Sequence, residues 1–335
     1  LMVLGTGFGF AENWPGYRGP TEDGHAGEAS AAYPLEWSEE KNVVWKTPIH
    51  GRAWSSPVVW EEQVWMTSAT EDGKAMFAIC VDRETGEVLL DEKLWDVAAP
   101  EELGNPVNSY ASPSPVIEEG RVYLHFGTYG TVCLDTETME EVWRRQDLEC
   151  RHFRGPGSSP VLAGDLLVLT FDGVDVQYVV ALDKEPGETV WRRDRSTDFD
   201  DLDEETGKPK RDGDLRKGFN TPLVVDVGGR KQLVSSGAKA AWGYDLETGN
   251  EIWTVRYEGH SSASRPVWNE AEGLVYLNTG YGQPEVWAIR LDGTTKGDVT
   301  ESHEEWKILK RMPKRSAPVL EDGYLYFLSD EGVVS

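Results

Sequence analysis

Asp245-Leu246-Glu247-Thr248-Gly249-Asn250-Glu251-Ile252-Trp253 decides the fold, because it is the complete copy of a pattern, Asp-x-x-Thr-Gly-x-x-x-Trp, that recurs along the chain. With one change it returns as Asp135, Thr138, Met139 and Trp143, and again as Asp183, Pro186, Gly187 and Trp191. An earlier unit has Asp82, Thr85 and Gly86 but Leu90 at the Trp position, and in a later one Asp292 is followed by an extended loop before Trp306. The residue types explain one another. Aspartate caps the N–H groups of a tight turn, glycine supplies the positive φ such a turn needs, and tryptophan buries a large ring while its indole N–H finds an acceptor.

Working outward, a second anchor precedes each copy: Ser56-Pro57-Val58, Ser114-Pro115-Val116, Ser159-Pro160-Val161, Thr221-Pro222-Leu223, Arg265-Pro266-Val267 and Ala317-Pro318-Val319. Proline donates no ladder hydrogen bond and is tolerated where a strand begins. Between the anchors lie two short alternating runs, such as residues 166–171 and 178–182, so each unit holds four antiparallel strands. Repeated sheets of this kind cover both faces most economically by packing radially. The expected fold is therefore all-β, a β-propeller of four-stranded antiparallel blades. The 35 Gly, 14 Trp and 12 Tyr among 335 residues agree with many short strands and tight turns.

A single propeller domain is expected over residues 12–335, with 194–218 as a loop insertion. That insertion carries Asp198, Asp200, Asp201, Asp203, Glu204 and Glu205 and reads as a solvated loop, because no register in it supplies the glycine and terminal glutamate of a calcium-binding EF-hand. Residues 42–46, with Trp45, read as an isolated fourth strand. The sixth unit stops before its Asp/Gly turn, so about five and a half blades plus a closing outer strand are expected, in a chain truncated at its C-terminus.

A formal charge of −26 argues against nucleic-acid binding. Residues 1–11 are apolar and uncharged and read as the remnant of a signal peptide, which places the protein in the periplasm or outside the cell. No later stretch is apolar enough to span a bilayer. Cys80 and Cys133 each stand two residues before the turn aspartate, where another repeat has Ala181, so both read as small core residues. Cys150, two residues from His152, stays open between packing and chemistry.

Loops that enter the first strand of each blade, together with those joining the second and third strands, converge on one mouth of the channel. They carry the candidate ligand-binding residues Arg52, Trp54, Tyr110, Tyr129, His152, Arg154, Lys239, His260, Arg265 and Arg315. Bases recurring at equivalent positions of an acidic protein point to a carboxylate, sulfate or phosphate group, and the aromatics to a ring or sugar face. Pairing of these bases with blade aspartates is the alternative. No residue pattern singles out a catalytic or metal-ligating set.

Residues Asp245 to Trp253 match the signature of the pyrroloquinoline-quinone (PQQ) repeat family, and the resemblance covers nearly the whole chain from Asn13. The stretches Asn13-Trp14-Pro15-Gly16-Tyr17-Arg18-Gly19-Pro20 and His152-Phe153-Arg154-Gly155-Pro156-Gly157-Ser158-Ser159-Pro160 resemble exported PQQ-like propeller proteins of planctomycete-type bacteria. Such proteins are similar in fold to quinoprotein dehydrogenases of about eight blades and to the propeller lipoprotein of outer-membrane protein assembly. The resemblance implies a non-catalytic binding or scaffold propeller of the cell envelope, recognising a small anionic molecule, a glycan or an envelope protein. Its alternatives are a PQQ-dependent alcohol or sugar oxidoreductase using PQQ with Ca²⁺, and a propeller hydrolase or lyase. The chain departs from the dehydrogenases in having no adjacent cysteines and no haem-attachment CxxCH, and from the lipoproteins in having no cysteine within residues 1–20. Fold alone does not transfer activity.

Overall fold

The turn aspartates act as caps in the computed structural model, which describes residues 13–26, 35–104, 106–310 and 312–335. Asp82 Oδ1 accepts the backbone N–H groups of Glu84 and Thr85 at 3.0 and 2.7 Å, and Asp245 Oδ1 accepts Thr248 N–H at 2.9 Å and its hydroxyl at 2.7 Å. Gly86, Gly187 and Gly249 take φ of 75°, 72° and 66°, while Met139 occupies the same place at 60°. The leader remnant expected over residues 1–11 lies outside the described residues.

Each of these turns joins the third and fourth strands of an antiparallel sheet whose strands follow chain order. The first sheet is β1 (Val58–Trp60), β2 (Gln63–Ala69), β3 (Ala75–Asp82) and β4 (Val88–Asp96). The second is β5 (Val116–Glu118), β6 (Arg121–His125), β7 (Thr131–Asp135) and β8 (Glu141–Arg145), and the third is β9 (Val161–Ala163), β10 (Leu166–Asp172), β11 (Gln177–Asp183) and β12 (Thr189–Asp194). The fourth is β13 (Leu223–Val227), β14 (Arg230–Ser236), β15 (Ala240–Asp245) and β16 (Glu251–Arg256). The fifth is β17 (Val267–Asn269), β18 (Leu274–Asn278), β19 (Val286–Arg290) and β21 (Glu304–Ile308). The long loop of the fifth repeat contains β20 (Gly297–Asp298), which pairs in parallel with β16 and so stitches the fifth blade to the fourth. A two-stranded sheet of β22 (Val319–Glu321) and β23 (Tyr324–Tyr326) follows. Among the described residues no helix is long and apolar enough to cross a membrane.

Small residues face the outer-strand tryptophans across each sheet. Cys133 pairs with Trp143, Ala181 with Trp191, Gly243 with Trp253 and Ala288 with Trp306, and Cys80 pairs with Leu90. Each pair is followed at once by a β-bulge, and a Cβ on Gly243 would stand 2.0 Å from Trp253 Nε1. The two cysteines are thus spacers under an indole, buried and free, with thiols that burial pushes up to about 12.

Trp143 and Trp191 lock onto the turn of the next blade, whereas Trp253 Nε1 donates to Gln232 Oε1 of its own sheet at 2.9 Å. Trp143 Nε1 donates to Lys184 O at 2.9 Å with its ring over Gly187, and Trp191 Nε1 donates to Leu246 O at 3.0 Å with its ring over Gly249. Trp45 does the same to Arg83 O at 2.9 Å, over Gly86. The segment around Trp45 forms no ladder with any described strand; its indole, rather than strand pairing, fixes it to the first blade. Two departures from the repeat fall at the matching places of this lock. Leu90 replaces the tryptophan where Met139 replaces the glycine, and both pack against the core between the first and second sheets.

The Ser-Pro anchors stitch the inner strands. Ser56 N–H donates to Ser114 Oγ at 2.9 Å, Ser114 N–H to Ser159 Oγ at 3.0 Å, and Ser159 N–H to Thr221 Oγ1 at 3.0 Å. A hydroxyl before the proline therefore satisfies a backbone donor of the neighbouring blade that no ladder reaches.

Residues 13–25 cross the channel below this hydroxyl ring. Trp14 exchanges backbone hydrogen bonds with Val59, and Ile117 N–H donates to Pro15 O at 2.8 Å. Arg18 Nη2 donates to Pro318 O at 2.9 Å, Glu22 pairs with buried Arg265 at 2.6 Å, and His25 meets Glu321 at 2.6 Å. This strap ties the first two sheets to the fifth and the sixth.

Candidate functional site

The strap closes one end of the channel and turns the other into a cup. Its cavity of about 600 Å³ has Tyr17 of the strap in its floor and the hydroxyls of Ser56, Ser114, Ser159 and Thr221 around its base. Because Ser114, Ser159 and Thr221 already accept a backbone N–H, their O–H groups are left to donate, and none finds an acceptor among the described residues.

Of the residues singled out from sequence, Trp54, Arg154, His260 and Arg315 line the cavity. Trp54 is 56% exposed at the rim, with the Arg52 guanidinium 5.2 Å above its ring and Arg52 itself held by the Pro106 carbonyl. Arg154 makes a bidentate pair with Asp214, Nε to Oδ1 at 2.7 Å and Nη2 to Oδ2 at 3.0 Å. That pairing raises the Arg154 pKa and holds the Asp214 carboxyl below its ordinary range. Arg315 reaches Asp330 at 3.4 Å. His260 and Tyr281 exchange backbone hydrogen bonds across the cup. Burial, outweighing the nearby Asp214, lowers the His260 pKa, so its imidazole is neutral at neutral pH.

The other candidates go elsewhere. Tyr110 and Tyr129 are buried edge to face against each other, their centroids 5.6 Å apart, and Tyr110 donates to Glu101 O at 2.8 Å. Lys239 pairs with Glu258 at 3.6 Å, and Arg265 lies beneath the floor, held by Pro222 O and by Glu22 of the strap.

His152 is buried beside Cys150 and Lys217. The backbone N–H of Thr128 donates to His152 Nε2 at 3.0 Å, so the imidazole proton sits on Nδ1, which lies 3.1 Å from Lys217 Nζ. Two donors cannot bond to each other, and the contact is a hydrogen bond only if Lys217 is the neutral amine. Burial drives both pKa values down in agreement, and Lys217 is 1% exposed. The Cys150 thiol, 3.6 Å from the ring and pushed up by burial to about 12, stays protonated. Burial thus works against charge on all three groups, and none of them lines the cavity.

Tyr17, the anchor hydroxyls, Phe219, Arg211 and Asp214 also line the cavity, and none was read from sequence as a ligand residue. The hydroxyls were visible as the residues before proline. Arg211 and Asp214 belong to the insertion, whose acidic run reads as solvated. Most of that run is solvated, with Asp198, Asp200, Glu204 and Glu205 exposed, but the insertion is anchored at its ends: Asp201 is 4% exposed and paired with Arg216, Phe199 is buried, and Arg195 forms a buried pair with Asp172 at 2.9 Å.

The family model of outer membrane protein assembly factor BamB matches residues 38–215 and 175–335. The chain belongs to this family of PQQ-like repeat propellers. Among solved structures, BamB from Moraxella catarrhalis aligns with a TM-score of 0.53 at 18% identity, over 85% of this chain and 71% of that one. The computationally designed Ika8 protein aligns with a TM-score of 0.50 at 13% identity, over 84% and 69%. A europium-containing methanol dehydrogenase aligns with a TM-score of 0.48 at 11% identity, over 85% and 76%. At these identities the likeness shows the fold alone. No curated protein matches.

The fold invites a test of the cavity against PQQ with Ca²⁺. A calcium ion takes six or more oxygen ligands with carboxylates among them. The cavity wall offers one carboxylate, Asp214, already engaged by Arg154, and three guanidinium groups, on Arg154, Arg211 and Arg315. No group of three or more His, Cys, Asp or Glu able to hold a metal occurs among the described residues. The cup does not fit that metal.

Proposed function

We propose that this protein is a non-catalytic binding propeller of the cell envelope, which takes a small anionic molecule or a glycan in the cup at the channel mouth. One observation carries the reading. In a chain of net charge −26, the entering loops and the insertion place three guanidinium groups and a single carboxylate around a cavity of about 600 Å³. A cavity of that size and mixed character is of the kind that holds small ligands. The hydroxyls below and the aromatics at the rim supply orienting contacts, and the apolar, uncharged composition of residues 1–11, read as the remnant of a leader, supports a site outside the cytoplasm.

Calorimetric titration of the full chain with a panel of neutral and acidic oligosaccharides and small carboxylates tests this. Binding is expected in the micromolar range and is expected to weaken about tenfold or more in Trp54→Ala and in His260→Ala. Failure of the whole panel to bind, or dye-linked alcohol oxidation by the chain after addition of PQQ and Ca²⁺, would overturn it.

A further inference from the structure

Three successive residues of the insertion, Arg211, Asp212 and Gly213, take left-handed backbone with φ of 53°, 54° and 83°. Glycine adopts this freely, whereas the first two carry a Cβ and resist it. The turn is nevertheless pinned. A Cβ on Gly213 would stand 2.3 Å from Val174 O, Asp214 is clamped by Arg154, and Arg216 is paired with buried Asp201. Arg211, exposed on this turn, lines the cavity near Asp214 and His260, whose pKa values its charge lowers, but makes no hydrogen bond or ion pair with any described residue, unlike Arg154 and Arg315. Backbone strain retained at a cavity lip to present an unpaired cation points to a ligand that pairs with it.

We propose that Arg211 is the acid-recognising residue of the cup and that the ligand is a sugar carrying a carboxylate, of the uronate type. This rests on the binding role proposed above. The planar guanidinium fork matches a carboxylate in two parallel hydrogen bonds. Among the described residues of the wall one cation lacks an ion pair, and with the Asp214 carboxylate beside it this suits a single negative charge better than a phosphate dianion. The base of the cup presents the hydroxyls of Ser114, Ser159 and Thr221 with donors to spare, which suits a polyhydroxylated molecule. Trp54 offers its exposed face at the rim, where a pyranose ring can stack.

The test compares galacturonate, neutral galactose and galactose 6-phosphate by calorimetry on the full chain. Galacturonate is expected to bind at least about tenfold more tightly than either of the others, since a charge-assisted bidentate pair is worth that much or more. Arg211→Gln should reduce galacturonate to the affinity of galactose. Arg211→Gly should do the same while keeping or raising Tm, because it relieves the left-handed strain. Equal binding of the acidic and neutral sugars, sensitive to Trp54→Ala but not to Arg211→Gln, would overturn the role of Arg211 and leave the binding role standing. Tighter binding of the phosphate would overturn the uronate assignment. A lower Tm in Arg211→Gly would overturn the strain argument, and failure of every sugar and carboxylate to bind would overturn the binding role as well.

Discussion

The lock between blades can be tested with the chain's own exception to it. Gly249→Ala places a Cβ 2.5 Å from Trp191 Cε3 in a backbone of φ 66°. Left-handed backbone costs a residue with a Cβ about 1–2 kcal/mol, and displacing a packed indole adds a similar amount, so a loss of about 3 kcal/mol is expected. Trp191→Leu removes a ring that is 8% exposed and leaves Leu246 O without its indole donor, again about 3 kcal/mol. The two losses are not expected to add. Leucine leaves room for the new methyl group, as Leu90 leaves room for Met139 between the first two blades. The double variant should therefore lose about 4 kcal/mol rather than 6, a coupling of about 2 kcal/mol. Urea unfolding followed by far-UV circular dichroism, read as a double-mutant cycle, measures this. Losses additive to within about 0.5 kcal/mol would show that indole and turn do not communicate, and the lock between neighbouring blades would be refuted.

Ser159→Ala should cost about 1–3 kcal/mol by orphaning the buried N–H of Ser114, measurable by calorimetric unfolding, whereas Ser159→Thr, which keeps the hydroxyl, should cost less. Acid should destabilise the fold through two buried histidines. Burial pushes His125 down to about 3 and lowers His152 as well, so between those values and an unfolded pKa near 6.5 the unfolded chain binds more protons than the folded one. Stability is then fully present above about pH 6.5 and is lost below it at about 1.4 kcal/mol per pH unit for each histidine. His125→Gln should flatten that slope in urea titrations between about pH 4 and 7, and an unchanged slope would count against the buried neutral imidazole. Lys217→Met should leave Tm unchanged or raise it, because burial works against the charge of Lys217; a large drop would mean that Lys217 is an ammonium with a partner.

The blade was legible because its parts obey local rules. Asp245, Gly249 and Trp253 lie at most eight residues apart in the chain, and each has a turn or packing role that residue type alone suggests. Cys80 and Cys133 were readable by alignment with Ala181. The destination of each indole was not, because Trp191 and Leu246 belong to different blades, although the joint departure of Leu90 and Met139 recorded that contact. For the site, loop position predicted convergence for Trp54, Arg154, His260 and Arg315. It failed to send Tyr110, Tyr129, His152, Lys239 and Arg265 there, because the direction of a side chain leaving an irregular loop is set by contacts rather than by strand period. Arg211 was hidden by its surroundings, an acid-rich stretch whose anchoring pair, Asp201 and Arg216, is 15 residues apart.

The strap also imposes an order of events on folding. Its residues precede the five blades described above, yet Arg18 finds its acceptor at Pro318, 300 residues later, and Glu22 waits for Arg265, 243 residues on. Blades joined by neighbour-to-neighbour locks can assemble as they emerge, whereas contacts this distant in sequence form late. The cup thus gains its floor only after the sheets carrying Arg265 and Pro318 are in place, and a ligand that presses on Tyr17 reads out whether these distant sheets have met the first two.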